Sequence, residues 1–168
     1  FDIEIDGRTL TGREGQTILE VCRDNGIEVP TLCYEPKLPG FGACRMCVVE
    51  IEGARTLVAS CVAQATDGMK VTTRSEKVER SRRTILEMLD SSVDLSEAPG
   101  IQALSADYGA AAGRFGACRR REHALIDDNP MYVRDYDKCV LCWRCVQVCA
   151  DDAQYTFAIN FDGRGFDT

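Results

Sequence analysis

Two groups of cysteines carry the chemistry in this sequence. Cys33, Cys44, Cys47 and Cys61 form C-x10-C-x2-C-x13-C, and Cys139, Cys142, Cys145 and Cys149 form C-x2-C-x2-C-x3-C within CVLCWRCVQVC. Four thiolates are the usual ligand set of a [2Fe–2S] or a [4Fe–4S] cluster. In the first group, the CRMC loop can place two sulfurs on one metal, and the other two must come from elsewhere in the fold. Gly40, Gly42 and Ala43 sit beside it, small enough to let backbone N–H groups reach the sulfurs and stabilise a reduced cluster. The second group is the bacterial ferredoxin run, in which three closely spaced thiolates wrap a cubane and the fourth serves a different cluster. Ala150 stands where proline usually follows. No cysteine lies beyond Cys149, so the usual fourth ligand is missing. Either Cys149 or Cys118 closes the first cubane, or Cys149 serves a second one completed by residues outside this sequence. Tetrahedral zinc is the competing metal, and disulfides would be the reading for a secreted chain.

The elements that must position these thiols are legible nearby. Phe1, Ile3 and Ile5 alternate with acidic residues, which is strand periodicity. Asp6-Gly7 predicts a tight hairpin turn, with Arg8 to Thr11 as the return strand. Thr17 and Glu20 form a capping box opening a short helix whose buried face is Ile18, Leu19, Val21 and Cys22, stopped at Asn25-Gly26. Short strands are expected at Val48 to Ile51, Leu57 to Ala59 and Met69 to Thr73. Composition shifts near Ser75. Lys77 to Leu89 has helical spacing of Val78, Ile85, Met88 and Leu89, and a short helix is expected over Pro99–Tyr108. The run Arg119, Arg120 and Arg121 reads as a solvated face. The expected fold is α+β: a [2Fe–2S] ferredoxin-like domain over 1–75, a helical linker region over 76–114, and a [4Fe–4S] ferredoxin-like domain over 115–168, incomplete at its C-terminus.

Composition narrows the function classes. Ten cysteines in 168 residues is heavy usage, and the net charge of -7 disfavours nucleic acid as a partner. No apolar stretch approaches the length needed to span a bilayer. The alternating start lacks the hydrophobic run of a signal peptide, so a cytoplasmic location is expected. One histidine, no GxSxG and no phosphate loop leave no candidate catalytic site.

The stretch TLCYEPKLPGFGACRMCVVEIEG resembles the amino-terminal [2Fe–2S] domain of the large iron–sulfur subunit of complex I. That domain also opens the catalytic subunits of NAD-linked formate dehydrogenases and iron-only hydrogenases. The resemblance implies a β-grasp fold, and the long Cys33–Cys44 gap fits this type better than the shorter spacing of plant-type ferredoxins. DDNPMYVRDYDKCVLCWRCVQVC and INFDGRGFDT are similar to the formate dehydrogenase family, where a second cysteine run follows. On that likeness Cys139, Cys142 and Cys145 bind one [4Fe–4S] and Cys149 a second.

Many relatives also carry a motif of one histidine and three cysteines after the Lys77–Leu89 helix. DSSVDLSEAPGIQAL holds neither residue type, so that cluster is expected to be absent. Cys118 and His123 come too late to rebuild it. His123 reads as an exposed or capping residue, Cys22 as a core residue, Cys118 as a free thiol and Trp143 as a shield over the cluster. The resemblance implies one-electron relay within a redox complex. A flavoprotein NADH-binding subunit and a catalytic subunit or domain of formate dehydrogenase or hydrogenase type are the expected partners. A stand-alone ferredoxin-type carrier and a zinc-stabilised binding module are the alternatives.

Overall fold

The computed structural model describes residues 1–116, 121–150, 153–165 and 168. Strands β1 (Asp2–Ile5) and β2 (Arg8–Thr11) form an antiparallel hairpin pairing Ile3 with Leu10. Asp6 and Gly7 take φ of 51° and 76° at its turn, the left-handed pair that matches the strand twist. The Asp6 carboxylate accepts from the Thr73 N–H and hydroxyl at 2.7 and 2.6 Å, tying the turn to the end of the neighbouring parallel strand. Helix α1 (Ile18–Asp24) starts at the predicted capping box. Thr17 accepts from the Glu20 N–H at 3.2 Å, and Glu20 accepts from the Thr17 N–H at 2.7 Å.

Strands β3 (Val48–Ile51), β4 (Val58–Ala59) and β5 (Lys70–Thr72) complete a five-stranded sheet ordered β2-β1-β5-β3-β4. Only β1 and β5 run parallel. The first core lies between this mixed sheet and α1, built from Ile3, Ile5, Ile18, Leu19, Val21, Val49 and Val71. Cys22 is fully buried there, and burial pushes its thiol up to about 11, so it stays a protonated core residue. A mixed sheet with one helix packed on it is the arrangement expected of a [2Fe–2S] ferredoxin-like domain.

Helix α2 (Glu76–Ser92) is longer at both ends than its apolar spacing predicts. Ser75 caps its start by accepting from the Val78 N–H, and Glu76 and Glu79 favour the positive end of its dipole. It packs on β3 and on α3 (Pro99–Asp107) around a second core of Met46, Leu86, Ile101 and Tyr108. Glu87, buried on α2, accepts from the Ala111 N–H at 3.2 Å and pairs with the Arg114 guanidinium. Burial opposes its charge, but those donors outweigh it and hold the carboxyl below its ordinary value.

The capping box gives the first testable expectation. Thr17→Ala removes the acceptor for the Glu20 N–H and half of the reciprocal bond. It should destabilise the protein by about 1 kcal/mol, read as a lowered midpoint in chemical denaturation with an unchanged slope.

Candidate metal centre

The CRMC loop runs between the two cores. Met46 is buried in the helical one, whereas Cys47 and Cys61 are buried in the sheet one. Ser60 donates to the Cys47 carbonyl through its N–H at 3.2 Å and its hydroxyl at 2.7 Å, clamping the end of the loop to β4. Cys33 and Cys44 face each other, the Cys33 N–H lying 3.4 Å from the Cys44 sulfur and the Cys44 N–H 3.5 Å from the Cys33 sulfur. The sulfurs of CRMC therefore do not pair with each other. Cys44 pairs with Cys33, and Cys47 with Cys61, because the loop turns at Arg45, whose φ of 60° points the two side chains toward different neighbours.

The electrostatics follow from that pairing. The Cys33 thiol donates to Cys44, which falls to about 5, helped by N–H groups of Met46, Cys33 and Leu32 against the penalty of burial. The Cys61 thiol likewise donates to Cys47, which falls to about 6. The donors Cys33 and Cys61 are pushed up, first by that hydrogen bond and then by burial. The site is thus two adjacent pairs, with Cys44 and Cys47 the more acidic member of each. Among the described residues no three His, Cys, Asp or Glu side chains are grouped as they would be around a single metal ion.

The small residues serve the role the spacing suggests. The Gly42 and Ala43 N–H groups donate to the Cys61 and Cys33 sulfurs. A Cβ on Gly40 would lie 2.3 Å from the Cys61 carbonyl oxygen, so this loop closes on Cys61 only without a side chain there. The donor set, the inward N–H groups and the cradle at Gly40 fit a [2Fe–2S] cluster.

The second cysteine group lies against the same loop. Trp143 stacks on Phe41 at 5.5 Å and 6°, and meets Phe161 edge-on at 4.8 Å. Gln147, on the short helix α4 (Arg144–Cys149), donates to the Pro39 carbonyl at 3.1 Å. Arg144 donates to the Cys142 sulfur and lies near Glu35 and Cys33, contacts that raise its pKa. Leu141 and Trp143 flank Cys142 with φ of 54° and 71°. Left-handed residues within such a loop turn successive N–H groups toward one side, forming a concavity for an anion. Burial, then the Cys142 charge, raise the Cys145 thiol.

Cys149 ends helix α4, four residues after Cys145. Its sulfur accepts from the Ala158 N–H at 3.0 Å and lies 3.3 Å from the Thr156 hydroxyl, which lowers its pKa. It lines an open cavity of about 900 Å³ shared with Cys145, Thr156 and Ile159.

Two arginines differ from the sequence reading or fall outside it. Arg121 is buried rather than solvated: it bonds the Cys139 carbonyl, and its Nη1 has no hydrogen-bond partner among the described residues. Arg119, Arg120 and Cys118 lie outside the described residues. The signal missed was Arg82, an ordinary helix residue in sequence that is fully buried against the CRMC loop. Its position in step with Val78 and Leu86 was the available clue. His123 is exposed, as its surroundings in sequence suggest, and its Nδ1 and backbone N–H both reach the Asp137 carboxylate, at 3.0 and 2.8 Å.

The stacked Trp143 gives a second expectation. Trp143→Ala removes a ring contact of about 0.5–1.5 kcal/mol and opens the face between the two cysteine groups. Visible absorbance of the assembled protein should bleach severalfold faster in air than in the wild type, with iron content at isolation unchanged.

Residues 1–76 match the family model described as a 2Fe-2S iron-sulfur cluster binding domain. The chain is 34% identical over 176 residues to the NADH-ubiquinone oxidoreductase 75 kDa subunit of Reclinomonas americana, covering 99% of this chain and 25% of that protein. It is 36% identical over 181 residues to NADP-reducing hydrogenase subunit HndD of Solidesulfovibrio fructosivorans, covering 98% of this chain and 30% of that one. The chain therefore spans less than a third of the length of these curated relatives. A chain in the crystal structure of NAD+-reducing [NiFe]-hydrogenase in the H2-reduced state superposes with a TM-score of 0.84 at 31% identity, over 98% of this chain and 71% of that one. A 2Fe-2S domain over residues 1–76, with similarity over nearly the whole chain to that hydrogenase chain, to the 75 kDa subunit and to HndD, places this protein in the family of iron–sulfur electron-transfer subunits that includes the complex I large subunit and the subunits of NAD- and NADP-linked hydrogenases.

Proposed function

We propose that this chain relays single electrons between a [2Fe–2S] cluster on Cys33, Cys44, Cys47 and Cys61 and a [4Fe–4S] cluster on Cys139, Cys142 and Cys145. The observation that carries this reading is the packing of one cysteine loop on the other through Phe41, Trp143 and Gln147. The Cys33–Cys44 pair would hold one iron of the first cluster and the Cys47–Cys61 pair the other. Backbone N–H groups around each sulfur favour the more negative, reduced state. Trp143 and Phe41 keep water from the space between the centres. The buried Nη1 of Arg121, without a hydrogen-bond partner among the described residues, supplies a donor beside Cys139 suited to an anionic cubane. Cys149, the last cysteine of the run, serves a second [4Fe–4S] whose remaining ligands come from outside these residues.

Neither loop offers an acid–base pair, so the terminal chemistry is assigned to a separate catalytic site of formate dehydrogenase or hydrogenase type. The other end of the relay is a flavoprotein NADH-binding partner. The protein's own contribution is rigid ligand placement, exclusion of water and tuning of potential. Anaerobic EPR of the dithionite-reduced protein, with iron and zinc measured on the same sample, tests the reading. A slowly relaxing [2Fe–2S] signal with a faster-relaxing [4Fe–4S] signal is expected, with about six irons per chain, or about ten if the second cubane is also filled. A colourless, EPR-silent protein with stoichiometric zinc would overturn it.

A further inference from the structure

Arg82 is fully buried, and its guanidinium bonds three neutral groups. Nε donates to the Met46 carbonyl at 3.0 Å, Nη2 to the Val48 carbonyl at 2.8 Å and Nη1 to the Tyr108 hydroxyl at 2.8 Å. A cation enclosed this way has satisfied hydrogen bonds and no counter-charge among those partners. Such burial is costly unless an anion lies close by. The Cys22 thiol is near, but its pKa of about 11 leaves it protonated and uncharged.

The two carbonyls bracket Cys47. A trans peptide points its C=O and the following N–H in opposite directions. With the Met46 carbonyl turned to Arg82, the Cys47 N–H is turned away from Arg82, to the other side of the loop. A charged donor on the carbonyl also polarises the peptide and strengthens its N–H as a donor. Met46 contributes a second N–H, donated to the Cys44 sulfur.

We propose that Arg82 is a potential-setting residue for the [2Fe–2S] centre, acting from behind the CRMC loop through its charge and through the peptides it orients. The inference rests on the cluster assignment made above. Reduction adds one electron, turning one ferric iron ferrous with no bond or proton exchanged, so the site gains one negative charge. A fixed cation a few bonds away stabilises that gain, because a low-dielectric interior screens it weakly. Arg82 therefore raises the potential and makes the centre a better electron acceptor.

The test is an EPR-monitored redox titration of the full chain as wild type, R82Q, R82M and R82K. A glutamine side chain is too short to hold both carbonyls, so a tenfold loss in the equilibrium constant for reduction is expected in R82Q, a lowering of about 59 mV for a one-electron couple. R82K keeps the charge and should stay within a few-fold of the wild type. R82M repeats the neutral substitution with an apolar side chain of about glutamine's length that makes no hydrogen bond to the loop. A full [2Fe–2S] signal with an unmoved midpoint in the neutral variants overturns the proposal. Loss of the cluster from both neutral variants also overturns it, leaving Arg82 a strut for the fold. A wild type without any [2Fe–2S] signal would instead remove the cluster assignment itself.

Discussion

Cys47→Ala is expected to abolish the [2Fe–2S] EPR signal and to lower iron by about two atoms per chain, while the [4Fe–4S] signal persists. The effect is expected to be all-or-none because, in the proposed cluster, Cys47 would share its iron with Cys61, the cysteine whose thiol hydrogen-bonds to it. Cys22→Ala is the control. Cys22 and Cys47 belong to the same core and both are buried. The first has its thiol raised by burial, whereas the second has it lowered by a donated hydrogen bond. Cys22→Ala should cost about 1 kcal/mol of stability and leave both EPR signals at full intensity. Retention of the [2Fe–2S] signal in Cys47→Ala would remove Cys47 from the ligand set.

Gly40→Ala is expected to cost as much function as a ligand substitution while adding only a methyl group. Its Cβ would meet the Cys61 carbonyl oxygen at 2.3 Å and the Cys61 carbonyl carbon at 3.2 Å, and both are backbone atoms that cannot rotate away. Relief requires the 39–43 loop to lift from Cys61, which also withdraws the Gly42 N–H from that sulfur. Overpacking of this kind costs about 1–3 kcal/mol, and the displaced loop should leave most of the protein without its [2Fe–2S] cluster. Gly100→Ala predicts the opposite sign. Gly100 lies near the start of α3, with nothing within 4 Å of where an added methyl would sit and no positive φ. Alanine there should stabilise the protein by about 0.4–1 kcal/mol, chiefly by restricting the unfolded chain. Equal effects of the two substitutions on denaturation midpoint and iron content would refute the steric account of Gly40.

By itself the sequence determined the local elements and the ligand candidates. Hairpin, capping box, short strands and three helices follow from period, cap and turn residues, which act over a few positions of chain. The β2 span at Arg8–Thr11 and the α1 start after Thr17 agree with the observed elements for that reason. The eight cysteines stand out because their spacing has few other uses.

Tertiary structure decided everything that depends on which distant groups meet. It paired Cys44 with Cys33 and Cys47 with Cys61, although CRMC puts Cys44 and Cys47 closest in sequence. The cause is the left-handed turn at Arg45 together with the return of the chain at Ser60. It buried Arg82 and Arg121, which charge alone assigns to solvent, because backbone carbonyls of the two cysteine loops needed donors. It also set Trp143 on Phe41, bringing the second cysteine group against the first across about a hundred residues of intervening chain. Spacing encodes what a loop can bind, and long-range packing decides which loops share a wall.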